Sequence, residues 1–140
     1  MSVTYVIDEE QQCIFMALSG VIGEWELGTA AQQLWAEPAF RPHFARFVDL
    51  SRMIELRAGT GLLRAIASDV RAKSPSGVAL VAPSETVIAD VRLYAESLAG
   101  VPVRLFHEVG EAIAWLGVHL PTPWPPAENP GAGEPAYDGG

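Results

Sequence analysis

The residues able to carry chemistry are few and widely spaced. His43, His107 and His119 lie far apart in the chain, and none has the close helical spacing that brings two imidazoles onto one metal ion. Cys13 is the only cysteine and lies in an apolar run typical of a strand, where a thiol is normally an inert core residue. No Walker loop or Gly-x-Gly-x-x-Gly motif follows a predicted strand. We therefore expect a protein that is not an enzyme and has no catalytic residues, metal or cofactor.

Residues 57–64 combine backbone donors with positive charge. Gly59, Thr60 and Gly61 precede a helical apolar stripe, so their N–H groups lie at a helix N-terminus, where the dipole favours an anion. Arg57 and Arg64 flank them. We predict that these five residues bind an anionic ligand or an acidic side chain of a partner. The alternative is that Thr60 is a helix N-cap and the arginines are solvated.

Charge is distributed unevenly along the chain. The formal net charge of −8 argues against nucleic-acid binding, which requires clustered lysine and arginine. Residues 41–73 nevertheless carry seven bases against three acids, so a basic segment lies inside an acidic chain. We expect a protein partner, with an anionic lipid or small ligand as the alternative, and no nucleic acid.

The elements that position these residues alternate between strand and helix. The patterns predict a mixed, mostly parallel α/β sheet of five strands with four helices, with strand order close to 1-2-3-4-5. Its antiparallel edge strand comes from an opening hairpin. The predicted strands are 3–8, 12–18, 46–50, 78–82 and 101–106; the predicted helices are 24–36, one opening at Gly59-Thr60-Gly61 and closing near Lys73, one capped by Ser84, and one ending before Gly117.

Length and composition indicate one domain. We predict an α/β domain over residues 1–118 and a disordered tail rich in proline and glycine over residues 119–140. No run approaches the roughly 18 apolar residues of a membrane span, and Met1 to Glu10 lacks a basic or apolar leader pattern. We therefore expect a cytoplasmic protein with no integral membrane segment.

Aromatic residues suggest a second binding hypothesis. Trp25 lies off the apolar line of the first predicted helix and could line a groove with Phe40, Phe44 and Tyr94. Such a groove would take a lipid or a partner side chain.

We also expect a homodimer, because a one-sided arrangement of helices would leave apolar surface that needs cover.

Several stretches together carry a family resemblance over residues 3–118. They are the hairpin Val3 to Leu18 with Ser19-Gly20, the strand end Phe47-Val48-Asp49-Leu50, the helix start Gly59-Thr60-Gly61-Leu62-Leu63, the strand Gly77 to Ala82 and the helix Glu111-Ala112-Ile113-Ala114-Trp115-Leu116. This set resembles the STAS superfamily, and more closely the small SpoIIAA-like proteins described as STAS/CRAL-TRIO-like.

The resemblance implies a function for the second helix. In STAS-type anti-sigma factor antagonists this helix starts with an Asp-Ser-Ser-Gly-Leu-like motif, whose first serine is phosphorylated by a partner kinase. Here Ala58-Gly59-Thr60-Gly61-Leu62 occupies that place, and Thr60 is its only hydroxyl residue. The resemblance thus implies a non-catalytic regulatory or protein-interaction module without the phosphoacceptor serine. The alternative is a small-ligand or lipid-binding protein with an apolar pocket beside the basic cluster of Arg52, Arg57 and Arg64.

Overall fold

The computed structural model describes residues 2–127, and strands and helices alternate along most of them. The order of the elements is the predicted one. In chain order they are β1 (Ser2–Asp8), β2 (Cys13–Gly23), α1 (Glu24–Ala36), β3 (Ala45–Arg57), α2 (Thr60–Lys73), β4 (Val78–Val81), α3 (Glu85–Glu96), β5 (Val103–Phe106) and α4 (Val109–Leu116).

The five strands form one mixed sheet in the order β1-β2-β3-β4-β5. Strand β1 pairs with β2 in antiparallel orientation, and every other neighbouring pair is parallel. Helices α1, α2 and α3 each connect a strand to the next strand along the sheet, as expected for successive crossovers in α/β folds, and α4 follows the last strand. The predicted fold class and strand order are therefore confirmed.

Strands β2 and β3 are longer than predicted. We expected β2 to end at Leu18 and a loop to follow Leu50, but β2 continues to Gly23 and β3 to Arg57. The two extensions pair with each other, and the pairing contains register shifts near Gly20. Gly20 has a φ of 78°, which glycine adopts without strain, so turn-prone residues lie within a bulged strand instead of ending it. Arg57 therefore lies on a strand and not in a loop.

The two faces of the sheet are covered differently. Successive residues of a strand point to opposite faces, and in β3 Phe47 packs toward α4 whereas Leu50 packs toward α1 and α3. Helices α1, α2 and α3 thus cover one face, which we call the three-helix face. Helix α4 covers the other, together with residues 118–124.

Local signals explain where several helices begin and end. The Ser84 hydroxyl accepts the Val87 N–H at 3.3 Å, which confirms the predicted cap of α3. The residue at the N-cap of α2 is Gly59, so Thr60 is the first helical residue and not the cap. Helix α4 ends at Gly117, whose φ of 72° is the left-handed conformation favoured at this position.

The segment after α4 packs without regular structure as far as residue 127. Trp124 makes edge contacts with the rings of Phe15 and Phe47 at centroid distances of 6.1 and 5.7 Å. Its indole Nε1–H donates to Oδ2 of the buried Asp49 at 2.9 Å. The predicted tail thus contacts, through Trp124, the face of the sheet that α4 covers. The rest of the predicted tail, residues 128–140, lies outside the described residues. In residues 2–127 no helix has the length and apolar character to cross a bilayer.

Candidate functional site

A cavity of about 100 Å³ lies on the three-helix face, between the sheet and helices α1, α2 and α3. Among the residues that the structure describes, 2–127, its wall is apolar apart from one arginine and one tyrosine. The lining residues are Met16, Leu18, Leu27, Ala30, Ala31, Leu34, Trp35, Arg46, Leu50, Leu56, Leu63, Ile66, Val70, Val91 and Tyr94.

The sequence periodicity of the elements explains this wall. Met16 and Leu18 alternate along β2, so both side chains point to the three-helix face. On α1 the lining positions recur at helical spacing and include Ala30 and Ala31. Alanine is small, so two adjacent alanines leave space between α1 and the strands that larger residues would fill.

Arg46 is the one charged residue of the cavity wall, and it is 4% exposed. Its Nη2 donates to the Pro42 carbonyl oxygen at a long 3.4 Å, and its guanidinium carbon lies 5.3 Å from the centre of the Phe40 ring. Within residues 2–127, Nε has no hydrogen-bond partner and no carboxylate lies within ion-pair distance. Buried charges are normally paired, because desolvating an ion costs several kcal/mol.

Burial lowers the pKa of Arg46 from its ordinary value. An arginine titrates so far above neutrality that it remains protonated inside a protein. The cavity wall therefore carries a full positive charge that no described acidic side chain neutralises.

Tyr94 of α3 is the second polar residue of the wall. Burial raises the pKa of its phenol to about 12, while the positive charge of Arg46 acts in the opposite direction. At neutral pH the phenol is protonated and can donate a hydrogen bond. Arg46 and Tyr94 both line the cavity.

The predicted anion site lies at the start of α2, outside this cavity. The Gly59 N–H already donates to Oε2 of Glu24 at 2.6 Å, so a carboxylate of the chain itself occupies this donor. Arg57 forms an exposed ion pair with Glu55 at 3.1 Å. Thr60, Gly61 and Arg64 are exposed at the first turns of α2. The structure therefore brings the five predicted residues to one surface region, and none of them lines the cavity.

The predicted aromatic groove is partly wrong. Tyr94 lines the cavity, but Trp25 does not and is 77% exposed, because its position on α1 points away from the stripe that faces the sheet. Phe44 is buried in the core, and Phe40 contacts Arg46 from outside the cavity wall. The tryptophan of the wall is Trp35 of α1.

Other reactive groups do not form a second site among the described residues. Cys13 is fully buried, and burial raises the pKa of its thiol to about 12. Asp49 accepts hydrogen bonds from the Ser51 N–H and from Trp124. In residues 2–127 no three histidine, cysteine or acidic side chains lie close enough together to hold a metal ion.

The chain was compared with known families and proteins. No protein-family model matches it. The search of curated proteins likewise found no match.

Proposed function

We propose that this chain is a non-catalytic cytoplasmic binding protein that holds a small apolar ligand in the cavity of the three-helix face. The observation that carries the proposal is the apolar wall around about 100 Å³ of space. Protein interiors are normally packed without voids larger than a water molecule. Concave sites with a mostly apolar wall and a few polar groups are where proteins usually bind small molecules.

Titration of the ¹⁵N-labelled protein with 1-butanol and with benzene tests this proposal by NMR. We expect saturable shifts at the amides of Leu34, Ile66 and Val91, which line the cavity. Ala30→Leu adds three carbons inside the wall and should abolish the shifts. Ala36→Leu is the matched control, because Ala36 lies on the same helix but is exposed. Equal binding by wild type and Ala30→Leu, or no binding by wild type, would contradict the proposal.

A STAS-like regulatory module that binds an acidic protein partner is the second candidate. The observation that favours it is the surface around the start of α2. The bond from Gly59 to Glu24 brings the starts of α1 and α2 together, and the neighbouring Trp25 is 77% exposed. Arg57, at the end of β3, is also exposed. Large exposed apolar residues next to positive charge are typical of protein-binding surfaces.

The interaction candidate is tested by native mass spectrometry of the protein purified from its own cytoplasm. We expect a protein partner on wild type that is lost from the variant Arg57→Ala/Arg64→Ala. The control is Arg71→Ala, an exposed arginine at the other end of α2. The same spectra show whether the chain forms a homodimer, and homodimer formation is part of this second proposal. Identical partners on all three proteins would refute it.

A further inference from the structure

We infer that the cavity binds a short aliphatic monocarboxylate, whose carboxylate lies against Arg46 and Tyr94 and whose chain fills the apolar part of the wall. This inference rests on the proposed ligand-binding function and adds the chemical class of the ligand. Its basis is the contrast within the wall between thirteen apolar residues and one buried, unpaired cation.

The charge of the ligand follows from the charge of the site. Among residues 2–127, Arg46 is the one base of the wall, and no acidic residue lines it. A monoanion would neutralise this cation, whereas a phosphate dianion would leave a negative charge in an apolar cavity. A neutral ligand would leave the guanidinium unpaired, and burying an unpaired charge is costly.

The geometry of a carboxylate also matches the two polar groups. A planar carboxylate accepts two parallel N–H bonds from a guanidinium, and within residues 2–127 only Nη2 of the Arg46 guanidinium has an acceptor, at the long distance of 3.4 Å. The protonated phenol of Tyr94 can supply a further donor. Charge-assisted bonds of this kind are roughly twice as strong as neutral ones.

The size of the ligand follows from the volume of the cavity. A dry apolar cavity of about 150 Å³ is known to hold benzene, which has six carbons. In the same proportion the present 100 Å³ suits about four non-hydrogen atoms, which is the number of carbons in butyrate, whose two oxygens would lie against Arg46. Long-chain fatty acids exceed this space several-fold, so most of their chain would lie outside the wall.

Isothermal titration of the full chain with sodium butyrate, butyramide and 1-butanol tests the inference. We expect butyrate to bind wild type with a Kd of roughly 10 µM to 1 mM, which suits so small a ligand. The two neutral compounds should bind about tenfold more weakly, since they lack the charge-assisted bonds. Phosphate and decanoate, tested alongside, should bind more weakly than butyrate.

Arg46→Met identifies the group that recognises the charge. This variant should lose the preference for butyrate and bind 1-butanol at least as tightly, because the carboxylate then has no cation to pair with, whereas Arg104→Met should keep the wild-type preference. Arg104 is a matched control, because it also lies over an aromatic ring but is exposed on β5. The wild-type comparison of charged with neutral ligands needs no variant, so it decides the question even if Arg46→Met does not fold.

The outcomes separate the two proposals. If 1-butanol binds wild type as tightly as butyrate, the apolar cavity remains a binding site and the carboxylate inference fails. If neither compound binds, the proposed function fails as well. Tighter binding of phosphate or decanoate than of butyrate would overturn the ligand class inferred from the charge and volume of the cavity.

Discussion

Replacing Arg46 with methionine should stabilise the ligand-free protein. The guanidinium is desolvated and has no carboxylate partner within residues 2–127, and an ion in this state costs several kcal/mol. The contact with Phe40 offsets about 1 to 2 kcal/mol, and the long bond to Pro42 offsets about 1 kcal/mol or less. Methionine has a similar length and suits the apolar wall, so we expect the free energy of unfolding to rise by about 1 to 2 kcal/mol.

Chemical and thermal unfolding of wild type, Arg46→Met and Arg104→Met measure this difference. For a domain of this size the gain corresponds to a rise in Tm of roughly 3 to 8 °C. The same substitution at the exposed Arg104 should change the free energy of unfolding by less than about 0.5 kcal/mol. If the free energy of unfolding of Arg46→Met is lower than that of wild type by about 1 kcal/mol or more, the arginine stabilises the fold. The reasoning that its charge is uncompensated would then be wrong.

Three further predictions concern the rest of the fold. Trp124→Phe keeps an aromatic ring but removes the donor to the buried Asp49, so the free energy of unfolding should fall by about 1 to 3 kcal/mol in urea titrations. Cys13 should not react with a thiol reagent at pH 8 in the folded protein, because burial raises its pKa to about 12, and it should react fully in denaturant. Burial and the hydrogen bond to Glu37 raise the pKa of Tyr5, so the folded protein holds this proton at a pH where the unfolded chain loses it. Stability should therefore fall as the pH rises above about 10, and Tyr5→Phe should reduce that fall in alkaline unfolding curves.

The sheet order could be predicted because it depends on local patterns and one general rule. Apolar alternation and helical spacing mark each element, and right-handed crossovers place successive strands side by side. The extent of β2 and β3 could not be predicted in this way. Residues 19–23 and 52–57 contain glycine, serine and charged residues, and they form strands because each segment supplies the pairing partner of the other. Such pairing between distant segments overrides local propensity.

The site was predictable only in part. In the predicted strand, Arg46 has the same parity as Val48 and Leu50, so a charge on the buried face was visible in the sequence. From the sequence alone, however, we treat Arg46 only as one of the seven bases within residues 41–73. The sequence predicts an anion site at the start of α2, because glycines and arginines are adjacent there. In the structure the Gly59 N–H is bonded to Glu24, and this contact depends on how α1 and α2 pack together. Cavity volume likewise depends on how far α1 stands from the strands, which no local pattern encodes.

The strand order also bears on how the protein is made. Every residue of the cavity wall lies between Met16 and Tyr94, and each strand pairs with the one synthesised just before it. A ribosome adds roughly 5 to 20 residues per second, so the wall emerges complete before β5 and α4 do. The first three strands with α1 can pair while the later elements are still being translated. A ligand present during synthesis could thus enter the three-helix face before α4 and Trp124 cover the opposite one.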